Sequence, residues 1–163
     1  MILIEKARLD EIPEIKNLLK DTWIDTYDSY YSSEMIEEIT SLWHDPERLA
    51  EQIKNNNCYF AVVKNDIGKI VGIVTARRIE NKILQIDRLY IHPDFQGQGI
   101  GKQLLDNSSR EFETIKTVII DVEAMNKKAI EFYERQDFEK YDESEEIIGD
   151  KNFKVIKMKK SML

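Results

Sequence analysis

The sequence is poor in the residues that form cross-links and metal centres. Its 163 residues include one cysteine, Cys58, and two histidines, His44 and His92. A single cysteine excludes an internal disulfide and is consistent with a reducing compartment. Two histidines with no cysteine partner give a poor ligand set, so we expect no metal. Cys58 opens the apolar run Cys-Tyr-Phe-Ala-Val-Val, which favours a buried strand residue over a nucleophile.

The chain also lacks long apolar segments and an excess of positive charge. Apolar stretches such as residues 70–76 have the length of a strand and fall far short of a membrane span. The N-terminal Met-Ile-Leu-Ile runs directly into charged residues, so we expect no signal peptide and a cytoplasmic location. The formal net charge is −7 and no basic face is evident. We therefore expect neither nucleic acid nor a membrane as a partner.

What is present is the composition of a folded α/β protein. Apolar residues make up 42% and charged residues 34% of the chain, which suits a real core and a soluble surface. No repeat, linker or low-complexity segment interrupts the pattern. The length and this continuity predict a single domain over residues 1–163.

Hydrophobic periodicity predicts one strand, helices, three strands, then helix, strand, helix and two strands. We expect Asp10 to cap the first helix, from Glu11, and Ser32 or Ser33 to cap the second. The predicted strands are residues 1–6, 59–64, 69–78, 83–91 and 117–122, with two more around 149–152; the later helices are 33–43, 46–54, 100–112 and 127–136.

The most informative segment is the glycine-rich turn at residues 96–102, Gln-Gly-Gln-Gly-Ile-Gly-Lys. It follows a predicted buried strand and opens a predicted helix. Glycine lets the backbone approach a ligand without a Cβ in the way, and the first N–H groups of a helix attract anions. The turn therefore predicts a phosphate cradle.

Two well-known phosphate loops do not fit this segment. A Walker A loop needs Ser or Thr after Gly-Lys and a first glycine five positions earlier, but the chain has Gln103 and Gln96 there. A dinucleotide fingerprint needs G-x-G-x-x-G, whereas these glycines run G-x-G-x-G past the midpoint of the chain. Asp121 lies at a suitable distance for a ribose contact, but it is a single match.

Residues 96–101 resemble Q/R-x-x-G-x-G/A, the coenzyme A pyrophosphate loop of the GNAT N-acetyltransferase superfamily. The preceding strand ends Leu-Tyr-Ile-His-Pro, which resembles the L-Y-V-x-P of that family. The resemblance implies the GNAT fold: an α/β protein with a central mixed, twisted, seven-stranded sheet flanked by helices.

A second segment resembles the family pattern N-x-x-A-x-x-F-Y-x-x-x-G-F. The matching residues are Asn126, Ala129, Phe132, Tyr133 and Phe138. The sequence departs from the pattern where Asp137 replaces the glycine that ends the helix in a left-handed conformation. Aspartate tolerates that conformation at some cost.

The resemblance implies acetyl-CoA as the cofactor and acetyl transfer to an amine as the reaction. The pyrophosphate lies on the backbone from Gln98 to Lys102, and the backbone of Leu89 and Ile91 pairs with the pantetheine arm. The side chain of Tyr90 points into the core. Asn126 reaches the cofactor, caps the following helix, or does both. The implied cofactor-binding residues are Leu89, Tyr90, Ile91, Gln96, Gly97, Gln98, Gly99, Ile100, Gly101, Lys102, Asn126 and Tyr133.

Two catalytic roles are assigned by the resemblance and by chemistry. Tyr133 stands where the family has a general acid, because a phenol can protonate a leaving thiolate. The alternative is that it only packs beside Phe132. The usual base position holds Gln85, which cannot accept a proton, so Asp87 becomes the candidate base on the same strand face. Asp87 could instead form a salt bridge with Arg88 or Lys82, and Glu123 or a solvent relay are other candidates for the base.

The acceptor groove of this family borders the junction of the first two helices. Residues 22–31 resemble the W-x-x-T-Y segment of bacterial and archaeal polyamine N-acetyltransferases. Rings and carboxylates suit a cationic amine, and the candidate substrate residues are Trp23, Asp25, Tyr27, Tyr30 and Tyr31. A second acidic cluster comprises Glu139, Asp142, Glu143, Glu145, Glu146 and Asp150. Alternatively, Trp23 and Tyr27 are core and the carboxylates are ordinary surface.

Three functions follow. The first is acetylation of a small primary amine such as a polyamine, which a closed acidic pocket favours. The second is acetylation of a protein N-terminus or lysine, which needs an open groove. The third is a non-catalytic acyl-CoA-binding module, which Gln85 favours and Tyr133 disfavours. Many members of the superfamily form homodimers, and the sequence leaves a homodimer open.

Overall fold

The structure is a computed structural model that describes residues 1–148 and 151–162. Gly149 and Asp150, the latter a member of the acidic cluster, lie outside the described residues. The elements are β1 (Leu3–Lys6), α1 (Ile12–Tyr27), α2 (Ser33–Trp43), α3 (Pro46–Lys54), β2 (Cys58–Lys64), β3 (Ile70–Glu80), β4 (Ile83–Ile91), α4 (Ile100–Glu111), β5 (Thr117–Glu123), α5 (Lys127–Arg135), β6 (Glu139–Ile148) and β7 (Lys151–Ser161).

The strands form a mixed seven-stranded sheet in the order β1-β2-β3-β4-β5-β7-β6. The one parallel pair is β4 with β5; the other neighbours run antiparallel. A parallel pair needs a crossover, and α4 supplies it. The predicted fold class is confirmed.

Apolar residues fill both faces of the sheet. On one face α4 and α5 contribute residues such as Leu104 and Tyr133, which pack with Leu84 and Ile86 of β4. On the other face α1, α2 and α3 pack against β2, β3 and β7 in two smaller clusters. The continuous burial along β2 and the first seven residues of β3 reflects the cover on both faces of the sheet. The helical layers thus hold the central strand β4 rigidly from either side.

The start of α1 differs from the prediction. Asp10 does not cap the helix, because a short 3₁₀ turn (Leu9–Glu11) precedes it and the Asp10 carboxylate pairs with Arg8 at 3.1 Å. Glu11 Oε1 instead accepts from the Arg8 backbone N–H at 2.8 Å. Ser32 does cap α2, where its hydroxyl oxygen accepts from the Met35 N–H at 3.2 Å. The prediction was wrong for α1 since a 3₁₀ entry shifts the capping position by one turn.

The central strands β4 and β5 pair over only part of their length. Residues 83–86 of β4 align with residues 117–120 of β5, and no pairing follows as far as Ile91 and Glu123. The strands part where β4 carries a bulge: Thr75 of β3 pairs with Arg88 and Ala76 pairs with Ile86, which leaves Asp87 as the extra residue. The sheet therefore opens at its centre, beside the bulge.

Three findings concern the expectations about a membrane span, a metal site and Cys58. Within residues 1–148 and 151–162, no helix has the length and apolar character needed to cross a membrane. The same residues contain no cluster of three or more potential metal ligands. Cys58 is half-buried in β2, and burial raises the pKa of its thiol to about 11, which keeps it protonated at neutral pH.

Candidate active site

The backbone of β4 presents unpaired polar groups to the gap beside β5. The N–H of His92 donates to Val71 O on β3 at 2.8 Å, so alternation along the strand turns the N–H groups of Leu89 and Ile91 away from β3. Ile91 O fits this alternation, because it accepts from Gln96 Nε2 at 2.9 Å on that same far side. An extended chain of amide groups can hydrogen-bond to this edge.

The glycine-rich turn has the conformation of a ligand cradle at two of its glycines. Gly97 and Gly99 have φ of 76° and 81°, in the left-handed region that disfavours other residues. A Cβ built on either one meets nothing within 4 Å, so both face open space. Gly99 is the N-cap of α4, whose first N–H groups lack partners within the helix. The turn therefore fits a diphosphate.

Gly101 lacks a side chain for another reason. A Cβ on Gly101 lies 2.9 Å from Cζ of Phe132, so this glycine lets α4 approach α5. Gly101 thus serves the packing of two helices, whereas Gly97 and Gly99 face open space. A backbone contact of Gly101 with the cofactor stays a prediction.

Neighbouring side chains of the turn are engaged within the protein. Gln96 bridges two elements, because its amide nitrogen donates to Ile91 O and its amide oxygen accepts from Lys128 at 2.5 Å. Lys102 pairs with Asp106 at 2.9 Å along α4. Ile100 is buried, so it anchors the helix start in the core, whereas Gln98 is exposed. The turn is thus fixed by its flanks while its glycine backbone stays accessible.

A cavity of about 340 Å³ adjoins the gap between β4 and β5. Tyr133, Tyr27 and Asn126 meet there. Asn126 performs two roles at once: its Oδ1 caps α5 by accepting from the Ala129 N–H at 3.1 Å, and its Nδ2 donates to the Tyr27 hydroxyl at 3.4 Å. Tyr27 is buried as well, and its pKa is raised by burial and by the nearby Tyr90 and Glu123.

Tyr133 is only 5% exposed, yet it lines this cavity. Its hydroxyl has no hydrogen-bond partner among the described residues. Burial is the main cause that raises the pKa of Tyr133, and the neighbouring Tyr90 and Tyr27 add to it. The phenol is therefore protonated at neutral pH, with its proton free to be donated into the cavity.

The side chain of Tyr90 lies below β4, packed against core residues of both smaller clusters. Its hydroxyl accepts from Trp23 Nε1 at 3.1 Å. This contact joins α1 to the part of β4 that faces the gap. Tyr90 also lines the cavity, and its contact with the cofactor stays a prediction.

The carboxylates of the cavity differ in their partners. Asp87 accepts two hydrogen bonds from Arg77, at 2.5 and 2.9 Å, so its salt-bridge partner is neither Arg88 nor Lys82. The bulge explains this, because it places Asp87 on the face of β3 that carries Arg77. Glu123 accepts from the Tyr31 hydroxyl at 3.3 Å and from the Met125 N–H at 2.6 Å. Only Asp87 of these two has a cationic partner among the described residues.

The candidate substrate residues are only partly brought together. Trp23 and Tyr27 line the cavity with ring centroids 4.5 Å apart, and Tyr31 reaches its rim through Glu123. Tyr30 is half-exposed and lines a separate depression beside α2. Asp25 is exposed on α1 and lines neither space, because it faces away from the sheet.

The second acidic cluster contributes one described residue to the cavity wall, Glu146 of β6. Glu143 is held instead by Lys154 at 2.8 Å and by Lys140 at 3.3 Å. Glu139, Asp142 and Glu145 are exposed and do not line the cavity. A strand sends alternate side chains to opposite faces, so a run of acids in sequence cannot all face one pocket.

Sequence reasoning missed a buried arginine. Arg88 is 6% exposed, and its donors reach His44 Nδ1 at 3.0 Å, Gln52 Oε1 at 2.6 Å and the Trp43 carbonyl at 2.6 Å. The one available signal was a cation within an apolar strand. These three partners lie more than 35 residues upstream and could not be identified from spacing.

Comparison with known proteins identifies the family. Residues 27–162 match the family model described as "Acetyltransferase (GNAT) domain". The chain belongs to the GNAT acetyltransferase family. Membership makes the protein an N-acetyltransferase that uses acetyl-CoA, and the cradle at Gly97 and Gly99 fits that cofactor.

Three proteins illustrate the relationship of this GNAT protein to others. It is 24% identical to an uncharacterised N-acetyltransferase of Lactobacillus delbrueckii subsp. lactis, over 94% of this chain and 93% of that protein. It is 28% identical to the spermidine N(1)-acetyltransferase of Thermoplasma acidophilum, over 64% of this chain and 66% of that protein. A solved structure of PaiA N-acetyltransferase from T. acidophilum in complex with coenzyme A superimposes with a TM-score of 0.84, 23% identity and 99% coverage of both chains.

Proposed function

We propose that this GNAT protein acetylates a primary amine of a small cationic molecule, with polyamines as the acceptor class, and that residues 1–163 act as one catalytic domain. The observation that carries the proposal is that Glu123 and Glu146 line the cavity without a cationic partner among the described residues. A carboxylate without a counter-ion favours binding of an ammonium group. The spermidine N(1)-acetyltransferase relative supports the same class.

The aromatic wall of the cavity adds to this proposal. Trp23 and Tyr27 line the cavity, and Tyr31 continues their row into the depression beside α2, with ring centroids 4.5 Å apart for the first pair and 5.7 Å for the second. Ring faces attract cations and pack on methylene chains. A polyamine offers both along its length, so the row suits the aliphatic segments while Glu123 and Glu146 suit the ammonium groups.

The cofactor supplies an acetyl group activated as a thioester. We assign its diphosphate to the backbone at Gly97 and Gly99 and the first turn of α4. The free N–H groups of Leu89 and Ile91 are assigned to its amide-bearing arm, which takes the place of the strand pairing that β5 does not make. Donors already fixed in the sheet hold this arm without rearrangement, which positions the thioester for attack by the amine.

Tyr133 is proposed as the general acid. Its hydroxyl is protonated, buried and unpartnered among the described residues, so it can donate its proton to the departing sulfur. Burial raises the pKa of the phenol, and the same dry surroundings also raise the proton affinity of a thiolate that leaves beside it. The two groups thus stay matched, which general acid catalysis requires.

Glu123 is proposed as the group that accepts the proton of the amine. Its two oxygens accept from neutral donors, Tyr31 Oη and Met125 N–H, so lone pairs remain for a proton or a bridging water. Both oxygens of Asp87 already accept from Arg77. The charge of Glu123 helps to raise the pKa of Tyr27, and Tyr27 in turn helps to raise the pKa of Tyr133. Glu123 therefore lies in the same part of the cavity as the proposed acid. The role of Asp87 as base stays a prediction.

The experiment is thiol release from acetyl-CoA by the purified protein with spermidine, spermine, free amino acids, and peptides with free N-termini or lysine. Release with polyamines alone is expected. Release with peptides alone would assign the protein to the second function considered above. Coenzyme A binding without release in any arm would favour the non-catalytic module.

A further inference from the structure

The wall of the cavity beside α2 and α3 is formed by Arg88, His44 and Gln52, and we call it the arginine end. Arg88 there is buried without a carboxylate partner among the described residues. Its guanidinium donates to neutral acceptors only: an imidazole nitrogen, a side-chain amide oxygen, a threonine hydroxyl and a backbone carbonyl. These contacts satisfy hydrogen bonds but leave the positive charge uncompensated.

The charged and titratable groups near Arg88 do not cancel its charge. Asp87 directly precedes Arg88 on the chain, but its carboxylate is held by Arg77, so that pair is neutral as a unit. Arg48 of α3 adds a further positive charge. Tyr90 and Cys58, the other groups that face it, keep their protons at neutral pH because burial raises both pKa values. The arginine end therefore carries a net positive charge.

The remaining polar groups of the arginine end are hydrogen-bond donors. Since His44 Nδ1 accepts from Arg88, the proton of the neutral imidazole lies on Nε2, and that nitrogen is buried without a partner among the described residues. His44 is 2% exposed, and burial and the charge of Arg88 lower its pKa to about 3, so it stays neutral. Gln52 uses its oxygen for Arg88, which leaves its NH₂ group as the free end.

We propose that the arginine end excludes ammonium groups, so that the amine which reaches the reaction centre of this cavity is held in its neutral form. The inference rests on the proposed function and deepens it. An ammonium has only donors and a positive charge, and at the arginine end it meets the Arg88 charge and mainly further donors, with no counter-charge on Arg88, His44 or Gln52. The ammonium groups that do not react are then held by Glu146, while Glu123 takes the proton that the reacting amine releases.

The consequence for catalysis follows from the ordinary pKa of an aliphatic amine. With a pKa of about 10.4, as for lysine, only about one amine in a thousand is neutral near pH 7.4. A nearby like charge lowers the pKa of an amine by about one unit or more, which raises the neutral fraction about tenfold. Arg88 is thus a positioning residue, which acts through the charge state of the acceptor.

The sharpest variant is Gln52→Glu. Gln52 Oε1 lies 2.6 Å from Arg88, so glutamate gives the guanidinium a carboxylate partner with almost no change of shape. The kcat for spermidine is measured from roughly pH 6 to 10, because its acid limb reports groups in the bound complex. We expect the apparent pKa of this limb to rise by about one unit in Gln52→Glu. The kcat should then be about tenfold lower near pH 7 and equal to that of wild type at high pH.

Three comparisons separate charge from packing. Gln52→Met removes the same acceptor without adding charge and should leave the acid limb at its wild-type position. A trimethylammonium alkylamine, which cannot lose its charge, should compete with spermidine more strongly in Gln52→Glu than in wild type. Arg88→Lys, which keeps the charge, should leave the limb in place, whereas Arg88→Met should raise it.

The outcomes are distinguishable. A wild type that turns over spermidine, together with a folded Gln52→Glu whose acid limb coincides with that of wild type, overturns this inference and leaves the proposed function intact. If the wild-type protein releases no thiol with any amine, the proposed function itself is wrong. If Arg88→Met does not fold, Gln52→Glu and the trimethylammonium competitor still decide the matter, since neither removes the Arg88 contacts.

Discussion

Gly101 of α4 faces the ring of Phe132 of α5 so closely that an added Cβ lies 2.9 Å from Cζ. Gly101→Ala should therefore destabilise the protein by about 1–3 kcal/mol, as expected for overpacking. Urea unfolding measures this as a lower midpoint with an unchanged slope. In a Phe132→Leu background the same change should cost much less, and an equal cost in both backgrounds would contradict the contact.

The second prediction concerns Gly99, which has φ of 81° and open space around a built Cβ. Gly99→Ala should cost about 1 kcal/mol of stability from backbone strain and weaken coenzyme A binding about tenfold or more. Gly68 in the β2–β3 turn is the matched control, because it has the same φ and the same open space. Gly68→Ala should show the strain alone; similar losses of affinity in both variants would argue against the cradle.

Tyr133→Phe removes the proposed acid and keeps the ring that packs in the core. We expect kcat to fall about 10²- to 10⁴-fold, while the dissociation constant of coenzyme A stays near that of wild type. Steady-state kinetics and calorimetric titration check the two parts. Tyr30→Phe, a half-exposed tyrosine outside the cavity, is the control and should change neither. A Tyr133→Phe enzyme of normal turnover would mean that Tyr133 only packs.

A fourth comparison sets Glu123→Gln against Asp87→Asn. Loss of the proposed proton acceptor should lower kcat/KM for spermidine about 10²-fold or more in Glu123→Gln. Asp87→Asn should cost less, because its carboxylate serves mainly to bind Arg77. The opposite ranking, with both variants folded, would return the role of base to Asp87.

The buried histidine predicts a pH dependence of stability. Burial and Arg88 lower the pKa of folded His44 to about 3, whereas the unfolded value is about 6.5. The unfolded chain therefore binds a proton that the native state refuses, so stability falls as the pH drops from about 6.5 towards 3. At pH 5 the loss is about 2 kcal/mol. Urea unfolding at pH 7 and 5 should show this difference in wild type and lose it in His44→Gln; an identical fall in both would contradict it.

The fold could be predicted from the sequence because its signals are local. Strands such as β2 and β4 and helices such as α2 and α3 follow hydrophobic period and capping residues, which act over a few positions. Asp137 adopts a φ of 70° at the helix end, where the family pattern places glycine. The cap at Asp10 was wrong because a 3₁₀ turn and a helical turn have nearly the same local sequence requirements.

The site could be predicted only where its residues belong to one short segment of the sequence. The glycine-rich turn at the start of α4 and the cap that Asn126 gives to α5 depend on neighbouring residues, and both were expected. The partners of Asp87 and Arg88 come from other elements, brought together by a bulge and by helix packing. A one-residue bulge changes which face a side chain occupies, and no local pattern around residue 87 specifies it. Asp25 was assigned from its neighbours, although helical geometry turns it outward.

The separation of β4 from β5 has a consequence for the stability of the sheet. Four residue pairs along this seam join the strands β5, β7 and β6 to the other half of the sheet. A ligand that binds along the seam only in the folded state stabilises that state by mass action. Amide hydrogen exchange in β5 and β7 should therefore slow as coenzyme A is added. The thermal stability of this protein should therefore increase with the concentration of coenzyme A, and the protein without bound coenzyme A should be the most susceptible to proteolysis.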